Sequence, residues 1–248
     1  MKQHVALSSS PPLGPIYFGP GEPTDEALLL GLKEVNNKYS QSKDFSKYVR
    51  EIETLFRLKP RAFVTESEKH FLAGFIEGEG SFSVSAKRTQ YSQFGLCIDP
   101  EFNITQHVNG VLHLQLALYT FKTGRIAHKG QSRGTLTFRI DNRKSLTEKV
   151  VPYVDKYLIP YSCPSKINRV ETFKELLSLF DQNAHCDLNS MLNQVLPLWA
   201  SMRVQVGHPY QTFKSLEEAQ DYVKLYLSNK DSPTFLNALL EPKRRNKK

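Results

Sequence analysis

The stretch from Thr65 to Lys87 constrains this chain more than any other, because it turns a helix into a strand with no loop between them. Thr65 and Glu68 stand at capping-box spacing, and the apolar run from Phe71 to Ile76 follows. After Glu77-Gly78-Glu79-Gly80, the residues Ser81, Ser83, Ser85 and Lys87 alternate with Phe82, Val84 and Ala86. That period of two belongs to a strand with one dry face and one wet face. Gly74 and Gly78 are four apart, so they share a helical face without side chains to hold a neighbour away. Two copies of such a helix can pack backbone to backbone across a two-fold axis. Glu79 then ends each helix beside its symmetry mate, where paired carboxylates and negative helix termini repel unless a cation lies between them. Oxygen ligands favour hard cations such as Mg²⁺. Glu77 lies about 200° around the helix from Glu79, so Glu79 is the expected ligand and Glu77 faces elsewhere. An ordinary core helix closed by glycines shares the GxxxG spacing, which is common. Direct entry into a patterned strand is what sets this stretch apart.

The rest of the chain supplies matching elements. Residues 1–23 are rich in Pro, Gly and Ser and read as a flexible arm. Residues 24–60 read as a helical extension, with amphipathic helices from Asp25 to Asn37 and from Asp44 to Leu58. Their candidate packing residues are Leu28, Leu32, Tyr48, Ile52, Leu55 and Phe56. A core over residues 61–229 follows, and residues 230–248 form a basic tail. Within the core, a turn near Arg88 to Ser92 leads to a second strand over 94–106, which Pro100 is expected to interrupt; Phe102 and Ile104 face inward, while Glu101, Asn103 and Thr105 face outward. Val108 to Phe121 has helical spacing, 124–128 and 134–141 form a hairpin, and helices run from 145 to about 229. The fold class is α+β, with the order αββαββα.

The outward set on the strands and turns is Ser83, Ser85, Lys87, Arg88, Arg125, His128, Lys129, Arg133, Thr135, Thr137 and Arg139. Arginine can read guanine through two hydrogen bonds, and hydroxyls can contact bases or phosphates. A solvated sheet face would also be polar, so charge has to decide. The net charge is +8, of which five sit in the last six residues, Lys243 to Lys248. Residues 81–140 hold seven basic and two acidic side chains, which leaves the remainder slightly acidic. A patterned local excess of that kind is the better nucleic-acid footprint. Cys97, Cys163 and Cys186 are scattered, with no CxxC pair, which argues against a zinc finger or a disulfide framework. No apolar run approaches the length of a membrane span, and no partner membrane is expected. The N-terminus shows neither a signal core nor a transit-peptide pattern.

The motif Leu72–Gly80 resembles that of the LAGLIDADG homing endonucleases. Residues from about 40 to 225 are similar to single-motif members encoded by group I introns in large-subunit ribosomal RNA genes of green-algal chloroplasts. The likeness is carried by 71–81, by 99–110 with Phe102-Asn103-Ile104-Thr105-Gln106-His107, and by 121–126, 140–143 and 219–222. The resemblance implies the LAGLIDADG homing-endonuclease fold, with a curved antiparallel four-stranded DNA-binding sheet whose wet face lies along the major groove of double-stranded DNA. It implies a homodimer, a divalent metal cofactor (Mg²⁺, or another such as Mn²⁺) and no small-molecule cofactor. Glu79 matches the acidic metal ligand, and Gly78 lends a backbone carbonyl to the same ion. Gln106 matches the residue that positions the attacking water, and Lys166 the active-site lysine. The two cuts fall across the minor groove and leave short 3′ overhangs in this family. Glutamate replaces the commoner aspartate at both acidic motif positions. The implied location is the chloroplast, with the mitochondrion as runner-up.

Other clusters carry less. His107, Asn109 and His113 fall on a strand end and a helix, which is not the layout of a His-Asn-His nuclease. His185 beside Cys186 lacks a partner pair at metal-ligand spacing. The basic tail adds nonspecific phosphate attraction. Two rival functions remain for this fold: an RNA maturase that helps its own intron splice, and a transcription regulator that has lost catalysis. An acidic residue at position 79 favours the nuclease over both.

Overall fold

The computed structural model describes residues 14–19, 22, 24–42, 44–130, 132–203 and 212–232. The expectations for residues 1–13 and for the basic tail Lys243 to Lys248 lie outside the described residues. Helices α1 (Glu26–Lys38), α2 (Phe45–Phe56) and α3 (Glu66–Glu79) come first, then strands β1 (Gly80–Arg88) and β2 (Leu96–His107). A 3₁₀ turn leads into α4 (Val111–Phe121), followed by β3 (Arg125–His128) and β4 (Thr135–Ile140). The strands form a four-stranded antiparallel sheet in the order β1-β2-β4-β3. A helical run over 143–161, α5 (Pro164–Asp181), a second run over 188–201 and α6 (Leu216–Asn229) complete the described chain. This is the expected α+β, αββαββα order.

Contacts gather the chain into two compact units, Met1–Leu72 with Ile104–Phe138, and Ala73–Asn103 with Arg139–Lys248. In the first, Leu28 and Leu32 of α1 and Ile52 and Phe56 of α2 are buried as their spacing predicts. Leu55 fits over Gly31, where a Cβ would stand 2.8 Å from its Cδ1. Helix α4 is buried on almost every side, including Gln115. Gln115 Nε2 donates to Glu53 Oε1 at 2.8 Å and to the Lys59 carbonyl at 2.9 Å, and Tyr119 Oη donates to the same Glu53 oxygen at 2.7 Å. These bonds make burial of a polar helix face tolerable. Phe18 exchanges two hydrogen bonds with the Asn109 side chain, at 2.9 and 2.8 Å. That part of the segment expected to be a flexible arm is therefore tied down.

In the second unit the buried Phe82 of β1 packs against Phe102 at 4.9 Å and against Phe173 of α5 at 5.5 Å between ring centroids. Each such ring contributes about 1.5–3 kcal/mol of burial. Three π turns, Leu146–Val150, Val154–Leu158 and Met191–Val195, each end two residues before a proline: Pro152, Pro160 and Pro197. A proline ring collides with the carbonyl four residues back, and a widened turn makes room without ending the helix.

One expectation for the strands fails. Pro100 does not interrupt β2, which is continuous from Leu96 to His107. Val108 N donates to the Gly134 carbonyl at 2.8 Å. Antiparallel pairing then puts residue 102 opposite Ile140, where β4 ends. Pro100 lies beyond that end, so its missing N–H removes no bond to β4.

The capping box forms as expected. The Thr65 N–H donates to Glu68 Oε2 at 2.8 Å, and Glu68 N donates back to Thr65 Oγ1 at 3.2 Å. The Thr65 backbone N–H, with Arg61 and the Thr65 hydroxyl, holds the Glu68 carboxyl down to about 2. A carboxyl depressed in the folded state contributes stability that is full above its ordinary value near 4.5 and disappears as pH falls to about 2. Glu68→Gln should therefore melt below the wild type at pH 7, and the gap should close between pH 4.5 and pH 2. Thermal unfolding across that range checks it.

Candidate active site and outward sheet face

The site is built on the end of α3. Helix α3 stops at Glu79 and β1 starts at Gly80, so nothing separates them. A Cβ on Gly80 would lie 2.5 Å from the Ile76 carbonyl oxygen and 2.6 Å from Ile76 Cγ2. Only glycine can make this transition without displacing the helix end. By contrast, Gly74 and Gly78 are exposed, with nothing within 4 Å of where a Cβ would stand. They leave a stripe of α3 without side chains, beside Phe71, which is 53% exposed and packs its ring 5.5 Å from that of His113. Glu79 is exposed at the helix end.

The helix end leaves carbonyls that need donors. Lys166 Nζ donates to the Gly80 carbonyl at 2.8 Å and to the Ile76 carbonyl at 3.2 Å. It thus brackets Glu79 along the main chain, and burial pushes its ammonium below its ordinary range despite the nearby Glu77 charge. Arg169, one turn further along α5, donates to the Phe82 carbonyl at 2.6 Å and the Met202 carbonyl at 2.9 Å. Glu77 turns toward the segment that leads into α5. Its Oε2 accepts from Ser162 Oγ at 2.7 Å and its Oε1 from the Cys163 N–H at 3.1 Å, just before α5. Burial alone would raise the Glu77 carboxyl, but these hydrogen bonds and Lys166 outweigh it and hold it below its ordinary value. A cavity of about 450 Å³ adjoins these groups, lined among others by Glu77, Gly80, Lys166 and Arg169. The anchoring roles of Glu77 and Arg169 were not visible in the sequence; their partners lie more than 30 residues away.

Gln106 is half-buried near the end of β2. Its Oε1 accepts from the His107 N–H at 2.7 Å, which presents its amide NH₂ as a donor. Gly110 leaves room for it, since a Cβ there would sit 2.5 Å from Gln106 Cγ.

On the strands, Ser83, Ser85, Thr135, Thr137 and Arg139 are half-exposed, and Lys87 is exposed. The two acids of this region are used on that face. Lys87 pairs with Asp99 at 2.7 Å, and Arg139 with Glu101 at 2.6 Å and Asp141 at 3.2 Å. Glu101 also accepts from Asn103 at 2.9 Å and from Ser83 at 3.3 Å. Arg125, Lys129 and Arg133 on the β3–β4 hairpin are exposed.

Two members of the outward set are misplaced. Arg88 shares strand parity with Phe82 and Ala86; its guanidinium lies 5.2 Å from the Phe213 ring and 5.0 Å from the Tyr222 ring, and 3.9 Å from Glu218. It therefore packs against α6. His128 shares parity with the buried Ile126 rather than with Arg125, and its Nε2 lies 3.1 Å from the Ser132 carbonyl inside the hairpin.

Among the described residues no group of three or more His, Cys, Asp or Glu could hold a metal ion, and no helix is long and apolar enough to cross a membrane. Glu79 and the Gly78 carbonyl offer the oxygen donors that hard cations take, but too few to complete a shell from one chain. Gly80→Ala should destabilise the fold by about 1–3 kcal/mol through the Ile76 clash. A urea titration should show a lower midpoint with unchanged slope.

Residues 72–177 match the LAGLIDADG endonuclease family. The chain is 48% identical to DNA endonuclease I-CeuI of Chlamydomonas moewusii over 207 residues, 84% of this chain and 94% of that one. Its fold superposes on the group I intron-encoded homing endonuclease I-CeuI complexed with DNA with a TM-score of 0.80 at 47% identity, covering 84% of this chain and 100% of that chain. The archaeal intron-encoded homing endonuclease I-Vdi141I complexed with DNA gives a TM-score of 0.57 at 24% identity, covering 66% of this chain and 98% of that one, a likeness of fold alone.

Proposed function

The chain belongs to the LAGLIDADG endonuclease family, and we propose that it is a site-specific homing endonuclease acting as a homodimer on double-stranded DNA. Its target in this reading is an intronless large-subunit ribosomal RNA gene, cut once in both strands to promote homing of a group I intron carried by a chloroplast genome. The observation that carries it is the 48% identity to DNA endonuclease I-CeuI across most of both chains, with Glu79 present at the exposed end of α3.

The single motif and the bare Gly74–Gly78 stripe support an isologous pairing of two α3 helices. Glu79 and the Gly78 carbonyl would hold Mg²⁺ or a similar divalent ion, and DNA phosphates, water and the second copy supply the remaining oxygens. When bound, such an ion supplies the Lewis acidity that polarises a scissile phosphate. Gln106 orients water for in-line attack at phosphorus, and Lys166, fixed at the helix end, stabilises the added negative charge. Ser83, Ser85, Lys87, Thr135, Thr137 and Arg139 present hydrogen-bonding groups to the major groove, and Arg125, Lys129 and Arg133 extend that surface along the hairpin.

Purified protein with an intronless large-subunit ribosomal RNA gene should give one double-strand cut with Mg²⁺ and none with EDTA. Glu79→Gln should slow that cut at least about a hundredfold. Specific binding without cutting would move the reading to an RNA maturase or a transcription regulator, and wild-type speed in Glu79→Gln would remove Glu79 from the chemistry. Gly74→Leu should leave the protomer folded but sediment as a monomer, and should lose double-strand cleavage.

A further inference from the structure

Strand β3 lies at the edge of the sheet, and an edge strand leaves alternate N–H and C=O groups without a strand to pair with. At Ile126 both groups are taken by side chains of the helical extension. The Ile126 N–H donates to Tyr48 Oη at 2.8 Å, and the Ile126 carbonyl accepts from Asn36 Nδ2 at 2.8 Å. Tyr48 Oη donates to Asn36 Oδ1 at 3.3 Å, which closes the ring, and Asn36 Nδ2 also donates to the Leu32 carbonyl one turn back in α1, 2.9 Å away. Every donor and acceptor in this ring points the right way round. Burial raises the Tyr48 phenol well above its ordinary value, so it stays protonated and keeps donating.

Ile126 sits next to Arg125 on the hairpin whose turn carries Lys129 and Arg133. The same extension reaches that turn a second time, where the Thr24 N–H donates to the Arg133 carbonyl at 3.4 Å. Thr24 is buried, and a Cβ on the buried Gly134 would stand 2.6 Å from its Oγ1. The hairpin is thus held at its edge and at its turn by residues before the family motif.

The geometry points to Asn36 and Tyr48 as positioning residues for DNA discrimination: they fix the register and tilt of the β3–β4 hairpin, so that the base pairs it reads are distinguished sharply. The proposal rests on the endonuclease reading above. Both act through Ile126, whose backbone groups their side chains hold. A two-stranded ribbon reads the major groove through side chains whose placement follows its backbone, so a hairpin with a loose edge accepts more than one base at a position.

Tyr48→Phe tests it, because it removes the acceptor of the Ile126 N–H and the donor to Asn36 Oδ1 while keeping the ring in place. Cleavage would be measured on a panel of targets with one base pair changed at each position, beside Arg125→Ala, whose affected positions mark the pairs read by the hairpin. Amide exchange at Ile126 would be followed in the free protein. Ile126 should exchange about tenfold faster or more in Tyr48→Phe, as expected for a buried N–H left without its acceptor. The variant should cut the unchanged target with kcat within about twofold of wild type. Mismatch penalties should drop about tenfold at the positions marked by Arg125→Ala and stay as they were elsewhere. Unchanged penalties at those positions, or an equal loss at every position, would overturn the proposal while leaving the nuclease intact. If the wild type cuts none of the targets, the endonuclease reading fails and the proposal falls with it. Asn36→Leu, which removes the other half of the ring, gives the same test if Tyr48→Phe does not fold.

Discussion

The structure depends on a helix that hands over to a strand within a single residue. Glu79 ends α3 and Gly80 begins β1, and the Ile76 carbonyl stands where any other side chain at position 80 would begin. A loop at this point would let the carboxylate wander by the length of its own slack. Without one, Glu79 is fixed by two regular elements at once, the helix behind it and the strand ahead. Precision at a reacting group comes from rigid elements around it more than from the group itself.

That arrangement has an electrostatic cost. A glutamate at the C-terminal end of a helix meets the negative end of the dipole and several carbonyls without helical donors. Lys166 offsets this by placing one ammonium on the Ile76 carbonyl of the helix end and on the Gly80 carbonyl that opens β1, and its burial there pushes the ammonium below its ordinary range. Glu77, on the other side of the same turn, takes hydrogen bonds at the start of α5, which brings Lys166 to its carbonyls. The two glutamates of the motif therefore divide the work. One is left exposed at the helix end, and the other anchors the helix that supports the first.

What could be read from the sequence was whatever repeats within a few residues. The capping box, the alternation of β1, the GxxxG stripe and the helix–strand order are local patterns, and all appear in the structure. Parity was equally local, and it places Arg88 and His128 on the inward side; selecting them by charge alone put them on the wrong face. Pro100 shows the opposite case, in which a sound local rule yields to tertiary context, because β4 ends before it could need the missing N–H. Nothing local could reveal the partners of Glu77, Lys166 and Ile126, since the chain separations are 86, 90 and 78 residues or so. Those contacts exist only once the sheet has formed.

The outward face shows how charge can favour selectivity over plain attraction. Lys87 and Arg139 are already paired with Asp99 and Glu101, in half-exposed geometry where each pair is worth about 1 kcal/mol or less. A phosphate or a guanine edge that replaces the carboxylate gains only the difference between two good partners. In the proposed reading, such cations would add little to binding at a random sequence and reward a correct one, where geometry makes the new bond better than the old. Arg125, Lys129 and Arg133 lie exposed on the hairpin, and in the proposed reading they would supply attraction that does not depend on sequence. An exposed arginine can grip any phosphate, so its reading of bases is only as selective as the backbone that aims it. In the proposed reading, the carboxylates beside Lys87 and Arg139 would compete with DNA for those cations, and the aim of Arg125 would depend on how firmly β3 is held at its edge.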